Sequence, residues 1–302
     1  MPDIAQIIRR RKRQDRLFNA LGIACTMIGL LTLSALIVKL VGDGLSHIDW
    51  AFVSSFPSFR PERAGILSPW VGSLCIMLVT ALTAVPLGIA AGVYLEEYGR
   101  RTRLSQFIEV NISNLAGVPS IIYGLLAVGI FISYLHMKPT ILVGGLTLAM
   151  LILPIVIVAT REALRTIPQP IREAAYALGA TKWQVIRHHL LPYSVGGILT
   201  GVIIALSRAI GETAPLMVVG AVGVIRFLPD SPVSSEFPFL SMNWLNSPYT
   251  VLPLQMFNWT SEPKESFHQL AAATGLILIM ITLSMNAVAI LVRYRARRRI
   301  KW

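Results

Sequence analysis

The sequence has few charged residues: they make up 14% of its 302 residues, whereas hydrophobic residues make up 54%. About a quarter of the residues are charged in an ordinary soluble globular protein, so this chain has too little charge to cover a water-facing surface. The net charge is nevertheless +12. A nucleic-acid-binding domain needs its positive charge on an exposed soluble face, which this composition does not offer. The composition therefore argues against a soluble enzyme, predicts no nucleic-acid partner and favours a membrane protein.

The sequence also lacks the motifs of several chemistries. Its two cysteines, Cys25 and Cys75, both lie in apolar runs, so they indicate neither a disulfide framework nor a zinc cluster. No GxxxxGKS/T phosphate loop, HExxH pair or GxSxG elbow occurs. We therefore expect no catalytic residue, no metal and no cofactor in this chain. An enzyme would have to assemble its site from residues far apart in the sequence.

Six apolar runs are each long enough to cross a bilayer as a helix, which takes about 20 residues. They cover residues 17–41, 70–95, 115–135, 140–160, 195–224 and 270–292. The first run follows basic residues, but it is longer than the core of a secretory signal and lacks a small-x-small cleavage site, so we expect an uncleaved anchor. The sequence predicts an all-α, polytopic membrane protein with six transmembrane helices.

Basic residues are distributed unevenly between the connecting segments. Six precede the first span, three lie between the second and third, five between the fourth and fifth, and six follow the last. The intervening loops together contain five. Because positive charge marks the cytoplasmic side of a membrane protein, we expect both termini and the second and fourth loops to lie in the cytoplasm.

The fourth loop, residues 161–192, is long for a connection between membrane helices and has the composition of two short helices. Prolines suit the start of a helix over 172–178, and Gly179 suits its end. Thr181 suits the N-cap of a second helix that runs to about His189. On pattern alone, the loop could lie on the membrane surface or dock a soluble partner.

Part of this loop resembles the EAA loop of ABC-importer permeases. The resemblance rests on Glu173-Ala174-Ala175, on Gly179 and on the pair Leu191-Pro192. In that family the short helix of the loop sits in a cleft on the ATP-binding subunit and transmits its movement. The resemblance implies that Glu173, Ala174, Ala175 and Gly179 couple this chain to such a subunit. The small alanines would permit close approach and the glycine a sharp turn.

The fifth run contains two charged residues in an otherwise apolar stretch. An arginine at the centre of a membrane helix costs about 2.5–3.5 kcal/mol and needs a partner or water. Glu212 follows Arg208 by one helical turn and can pair with it, and Gly211 and Pro215 favour a bend or an unwound turn. Two interpretations remain: a structural ion pair, or an anion path in which Arg208 binds a phosphate oxygen bidentately. We favour the anion path, because intramembrane charges usually have a function.

The third run begins with residues that interrupt a helix, namely Gly117, Pro119 and Gly124. Ser120 and Tyr123 can hydrogen-bond to a neighbouring helix or to a ligand. Broken helices are tolerated inside membranes where they are buried in protein or line a cavity. The sequence leaves open whether this segment is a kinked packing helix or part of a substrate path.

Three runs resemble the phosphate-importer branch of these permeases. They are RAIGETAPL in the fifth span, NLAGVPSIIYG at the third, where Ile122 replaces a common valine, and LPLQMFN before the sixth. The resemblance covers about residues 70–292 and implies the fold of a type I, MetI-like ABC-importer permease. It divides the chain into 1–66 (basic tail, first span and external loop), 67–292 (five-helix transporter domain with the coupling loop 161–192) and a basic tail at 293–302.

The resemblance implies a permease subunit of an ATP-driven inorganic phosphate importer in the bacterial inner membrane. Its partners would be a homologous permease subunit, a dimer of ATP-binding subunits that hold ATP and Mg, an external phosphate-binding protein and membrane lipid. Arg208, Glu212, Ser120 and Tyr123 form the candidate substrate path. The alternatives are an importer of sulfate or molybdate, a phosphate-sensing membrane subunit, or an intramembrane enzyme. The external loop at 226–268 could receive the binding protein or pack over the helices.

Overall fold

The chain folds into helices joined by short turns and one long loop. A computed structural model describes residues 4–99, 103–231 and 241–298. The helices are α1 (Ile4–Gly44), α2 (Trp50–Ser54), α3 (Leu67–Val93), α4 (Arg103–Leu115), α5 (Ser120–Ala127), α6 (Ile141–Arg165), α7 (Gln169–Ala177), α8 (Lys182–Val185), α9 (Leu191–Ala209), α10 (Ala214–Val219), α11 (Leu252–Thr260) and α12 (Glu265–Arg298). Wider π-helical turns extend α3 over Tyr94–Tyr98, extend α5 over Val128–Tyr134 and join α8 to α9 over Ile186–Leu190.

Five helical segments are long and apolar enough to span a membrane, and α4 with α5 makes a sixth if that bent pair is one span. The five correspond to the first, second, fourth, fifth and sixth apolar runs of the sequence. The prediction of an all-α membrane protein is therefore confirmed for the described residues.

The third run, predicted over 115–135, is interrupted near Gly117 and Pro119, as its sequence predicts. The chain bends by 105° between α4 and α5, and the apolar helix begins only at Ser120. Pro119 precedes that helix because proline cannot donate the backbone hydrogen bond that a continuing helix requires. The helical stretch 120–134 is about 22 Å long at 1.5 Å per residue. It is shorter than the hydrocarbon core of about 30 Å, so α5 alone does not reach across a bilayer.

The fifth run starts earlier than predicted. The helix expected to end near His189 continues without interruption, so one segment runs from Lys182 to Ala209. Pro192 lies in the first turn of α9, two residues after the wider turn Ile186–Leu190. A proline inside a helix removes one backbone hydrogen bond, and a wider helical turn accommodates such an interruption without ending the helix. The second loop helix and the membrane helix are therefore one continuous helical segment.

Helices α3, α6 and α9 form the centre of the molecule, with buried residues such as Leu148 and Ile152 of α6 at the core. The close approach of α3 and α9 to α6 depends on glycine. A Cβ atom on Gly88 would lie 2.6 Å from a Val156 methyl group, and one on Gly197 would lie 2.7 Å from the Ala163 methyl group. Small residues permit this backbone approach between membrane helices, so Gly88 and Gly197 allow α3 and α9 to pack closely against α6.

Helix α1 lies at the edge of the bundle. Its apolar side chains, including Phe18 at 81% exposed, have no protein cover along most of the helix. Contact with α12 is confined to its end, where Gly44 touches the backbone of Ala272 and Ala273. In a bilayer these exposed side chains contact lipid, as hydrophobic residues there need no protein partner.

The long loop before α11 covers the bundle. Trp244, Tyr249 and Trp259 are 9%, 2% and 4% exposed, and a Cβ atom on Gly144 of α6 would lie 2.8 Å from the Tyr249 ring. The described part of the loop 226–268 therefore packs over the helices, as one of its two interpretations predicts. Residues 232–240 of this loop lie outside the described residues. So do four of the basic residues used for orientation, Arg100, Arg101, Arg299 and Lys301.

Candidate functional site

A break in the fifth span separates α9 from α10. Arg208 lies in the last turn of α9, where a cation complements the negative end of the helix dipole. The N–H groups of Gly211 and Glu212 donate to the carbonyls of Arg208 and Ala209 at 3.3 and 3.2 Å, which closes the helix. Pro215 lies in the first turn of α10, where its missing N–H is not needed. The break expected near Gly211 and Pro215 is confirmed.

Arg208 and Glu212 form the expected ion pair across this break. The Arg208 Nε atom donates to the Glu212 Oε1 atom at 3.3 Å, and the two side chains are 42% and 18% exposed. Among the described residues, no other hydrogen bond of the Arg208 guanidinium is present. Its two terminal nitrogens therefore remain available. This geometry leaves Arg208 able to take a second, anionic partner without releasing Glu212.

Tyr123 lies in the first turn of α5, which packs against α10 beyond this break. Its hydroxyl donates to the Leu115 carbonyl at 2.7 Å, across the bend between α4 and α5, and the residue is 6% exposed. Tyr123 belongs to the same buried apolar cluster as Ala209 and Ile210, the two residues that follow Arg208. Ser120, at the start of α5, is half-buried. In the described part of the chain, no hydrogen bond joins Ser120 to Arg208 or Glu212.

The two broken spans touch directly. A Cβ atom on Gly124 would lie 2.8 Å from both the Cα and carbonyl oxygen atoms of Pro215, so α5 and α10 approach backbone to backbone. Only glycine leaves room for this contact. The sequence indicates each break separately, whereas the structure shows that the two breaks meet at the contact of Gly124 with Pro215.

Polar contacts between α9 and α12 hold the arginine-bearing helix in place. The Ser207 hydroxyl lies 2.6 Å from the Asn286 amide oxygen, and the Arg293 guanidinium donates to the Thr200 hydroxyl at 2.8 Å. Neither pair was predicted, because each joins residues from different spans. The sequence gives only one indication of these contacts, namely Asn286, the single asparagine in the apolar run 270–292.

The loop helix α7 ends as its sequence predicts. Gly179 has a φ of +84°, a conformation that suits glycine, and its N–H donates to the Tyr176 carbonyl at 2.9 Å. The Ala180 N–H donates to the Ala175 carbonyl at 3.1 Å, which completes a Schellman motif. Thr181 then caps the following helix with a capping box that includes Gln184.

The side chains of α7 divide into an exposed set and a buried residue. Glu173, Ala174 and Gly179 are exposed, and Leu178 beside them is 90% exposed. Ala175, which was grouped with them, is 7% exposed and packs in an apolar cluster with Val185. Ala175 therefore holds the loop helices together, while the exposed ridge is open to a partner. Leu178 was not predicted for this ridge, because an apolar helical residue is ordinarily expected in a core.

Arg172 fastens α7 to the end of α3. Its guanidinium contacts Glu97 at 3.0 Å and donates to the carbonyls of Leu164 and Ile167 at 3.0 and 2.9 Å. Partial burial and the Glu97 charge raise the pKa of Tyr176 above its ordinary value. The contacts make α7 part of a rigid unit with α3 and α6.

An ion cluster joins α6, α4 and the π-helical end of α3. Arg161 is 6% exposed and contacts Glu109 at 2.8 Å and Glu96 at 3.4 Å. Arg165 contacts the same two carboxylates at 2.9 and 3.0 Å. Glu109 lies on α4, and the last residue of α4, Leu115, accepts the hydrogen bond of the Tyr123 hydroxyl, so α4 is held both by the cluster and by α5.

Sequence comparison finds relatives over most of the chain. A phosphate transport system permease protein PstA of Haemophilus influenzae is 32% identical over 277 residues, covering 91% of this chain and 92% of that protein. One of Mycobacterium leprae is 32% identical over 297 residues, covering 96% and 92%.

Solved structures show the same fold. A bacterial alginate ABC transporter chain is 14% identical with a TM-score of 0.65, covering 93% of this chain and 94% of that one. A MetNI methionine ABC transporter chain is 16% identical with a TM-score of 0.58, covering 74% and 93%. Residues 84–302 also match the family described as binding-protein-dependent transport system inner membrane component. With a match over more than half of its length, and with relatives above 30% identity that it covers almost completely, the chain belongs to this family of membrane permease subunits.

Proposed function

We propose that this chain is a permease subunit of an ATP-driven importer of inorganic phosphate. The observation that carries the proposal is Arg208, a half-exposed arginine inside an apolar span that uses one nitrogen for Glu212 and leaves the other two available. A guanidinium with free nitrogens binds a phosphate oxygen pair in a fork-shaped geometry. Relatives at 32% identity that are named phosphate transport permeases support phosphate as the anion.

The path would run between the two broken spans. Tyr123 and Arg208 come from different helices, so a relative movement of α5 and α9 changes the distance between the phenol and the guanidinium. Broken helices at mid-membrane serve this purpose in transporters, because they place backbone and polar groups beside the substrate. Glu212 would keep Arg208 in place when no anion is bound.

Partners would supply energy and substrate. A homologous permease subunit would complete the path, and a dimer of ATP-binding subunits would hold ATP and Mg. An external phosphate-binding protein would deliver the anion. The exposed ridge of Glu173, Ala174, Leu178 and Gly179 would contact the ATP-binding subunit on the cytoplasmic side, with both termini on that side of a bacterial inner membrane. ATP binding would shift the population from inward-open to outward-open, and hydrolysis would reset it.

Uptake of labelled phosphate tests the proposal. Cells that lack this chain are compared with cells that have it restored, with unlabelled sulfate or molybdate as competitors. We expect uptake to depend on the chain and to be reduced by unlabelled phosphate but not by the other two oxyanions. Uptake that does not depend on the chain would contradict phosphate import, and competition by sulfate or molybdate would reassign the substrate.

A further inference from the structure

Three arginines surround one open pocket at the Leu67 end of α3. The pocket has a volume of about 550 Å³. Arg60 and Arg63 come from the segment before α3, and Arg226 comes from the segment after α10. The full lining is Phe56, Pro57, Ser58, Phe59, Arg60, Arg63 and Arg226. Helix α3 is about 40 Å long at 1.5 Å per residue, so this arginine pocket lies far from α7, which contacts the other end of α3.

Hydrogen bonds hold the two segments of the pocket together. The Ser68 hydroxyl donates to the Ile225 carbonyl at 2.6 Å in a buried contact. The Arg226 Nε atom donates to the Pro57 carbonyl at 3.3 Å. The Gly65 N–H donates to the Phe56 carbonyl at 3.1 Å. The pocket is therefore built into the fold before any partner arrives.

The positive charges of the arginine pocket are not neutralised within the described part of the chain. No described carboxylate lies within 4.0 Å of a guanidinium nitrogen of Arg60, Arg63 or Arg226. Glu62 lies between the first two in the sequence, but it is exposed and forms no ion pair there. Like charges that converge repel one another, so the arrangement becomes favourable when an anionic group enters.

The pocket suits the surface of a protein better than a free ion. Phe59 is 71% exposed at its rim, and half-buried Phe56 adds apolar surface beside the arginines. Arginine next to exposed aromatic side chains is typical of the residues that anchor protein interfaces. A free phosphate would gain nothing from the aromatic rim.

We infer that the arginine pocket docks acidic side chains of the soluble binding protein that delivers the substrate. The inference rests on the proposed function, which supplies such a protein and places this end of α3 on the external side. Carboxylates of the binding protein would pair with the free guanidinium groups, and the aromatic rim would cover the contact. Opposite charges would also speed the encounter between the two proteins.

Titration of the binding protein tests the inference. The complete importer is reconstituted in liposomes of neutral lipid, and ATPase stimulation is measured against the concentration of the binding protein loaded with phosphate. The test variant is Arg60→Glu with Arg63→Glu. The matched control is Lys138→Glu with Lys264→Glu, which reverses two exposed lysines on the same predicted side but outside the pocket. We expect the half-maximal concentration to rise at least tenfold in the test variant and less than twofold in the control. We expect basal ATPase activity to be unchanged in both.

Each outcome separates the docking inference from the proposed function. If the unmodified importer transports phosphate and both variants show the same half-maximal concentration, the docking inference is wrong and the proposed function stands. A variant that changes only the dependence on free phosphate would identify an oxyanion site instead. A defect that appears only when anionic lipid is added would identify a headgroup site, and either result overturns docking. If the unmodified importer transports no phosphate, the proposed function itself fails.

Discussion

Two regions of this chain contain arginine and glutamate in contact, and they differ in how completely each guanidinium is bonded. Arg172, on the loop helix α7, bonds to one carboxylate and two backbone carbonyls, and its side chain is 19% exposed. Arg208, in the broken fifth span, bonds to one carboxylate through one nitrogen and is 42% exposed. The number of bonds, rather than the presence of a pair, distinguishes an arginine whose guanidinium is fully used within the fold from one that can take a further partner.

The largest change in stability is expected in the first region, where the buried Arg161 also pairs with glutamates. Arg161→Met should lower the free energy of unfolding by about 2 kcal/mol, because it removes the ion pairs of buried Arg161 with half-buried Glu96 and Glu109 and leaves those carboxylates with Arg165 alone. Equilibrium denaturation of the purified chain in detergent micelles measures this change. Arg187→Met is the matched control, since Arg187 is exposed, and it should change stability by less than about 0.5 kcal/mol. Equal effects of the two variants would show that the ion cluster does not stabilise the fold.

At Arg208 we expect a smaller change in the free energy of unfolding but a larger loss of phosphate uptake. Arg208→Gln should leave the free energy of unfolding within about 1 kcal/mol of the unmodified value, because exposed ion pairs contribute little. It should lower phosphate uptake about ten- to hundredfold, since a hydrogen bond to a charged group contributes about 1.5–3 kcal/mol. Uptake per assembled importer is the measurement. Arg208→Lys keeps the charge without the fork geometry and should give an intermediate loss.

The reverse result at Arg208 would remove the contrast between the regions. If Arg208→Gln destabilised the chain as much as Arg161→Met, and uptake per assembled importer stayed unchanged, Arg208 would be a structural residue. The anion path would then have to be found elsewhere between α5 and α9.

The sequence predicts a contact when the two residues that form it lie close together along the chain. The Arg208–Glu212 pair, the Gly179 turn and the Thr181 cap all join residues within four positions of each other, so spacing alone indicates them. The apolar spans follow from hydropathy in the same way. In contrast, the contact of Arg172 with Glu97 joins two different loops, and no local pattern indicates it.

The bend of the third span shows the same limit. Gly117 and Pro119 predict an interruption, but its angle of 105° depends on what lies beyond it. Glu109 of α4 is held by Arg161 and Arg165, and Gly124 of α5 is held against α10. These tertiary contacts set the direction of each half, so the sequence indicates that the helix breaks but not where the two halves go.

The smallest effect on stability and uptake is expected at Tyr123, whose hydroxyl joins α5 to the end of α4. Tyr123→Phe removes the hydrogen bond to the Leu115 carbonyl and should lower the free energy of unfolding by about 1 kcal/mol. Tyr134→Phe is the control, because Tyr134 is on the same helical stretch and is 78% exposed. If the phenol only positions α5, Tyr123→Phe should lower the maximal uptake rate by at most about fivefold, with little change in the phosphate concentration for half-maximal uptake. A rise in that concentration with unchanged stability would instead show that the phenol contacts the anion beside Arg208. No change in stability or uptake would show that the bend is held without this hydrogen bond, and that the ion cluster and the arginine site act independently.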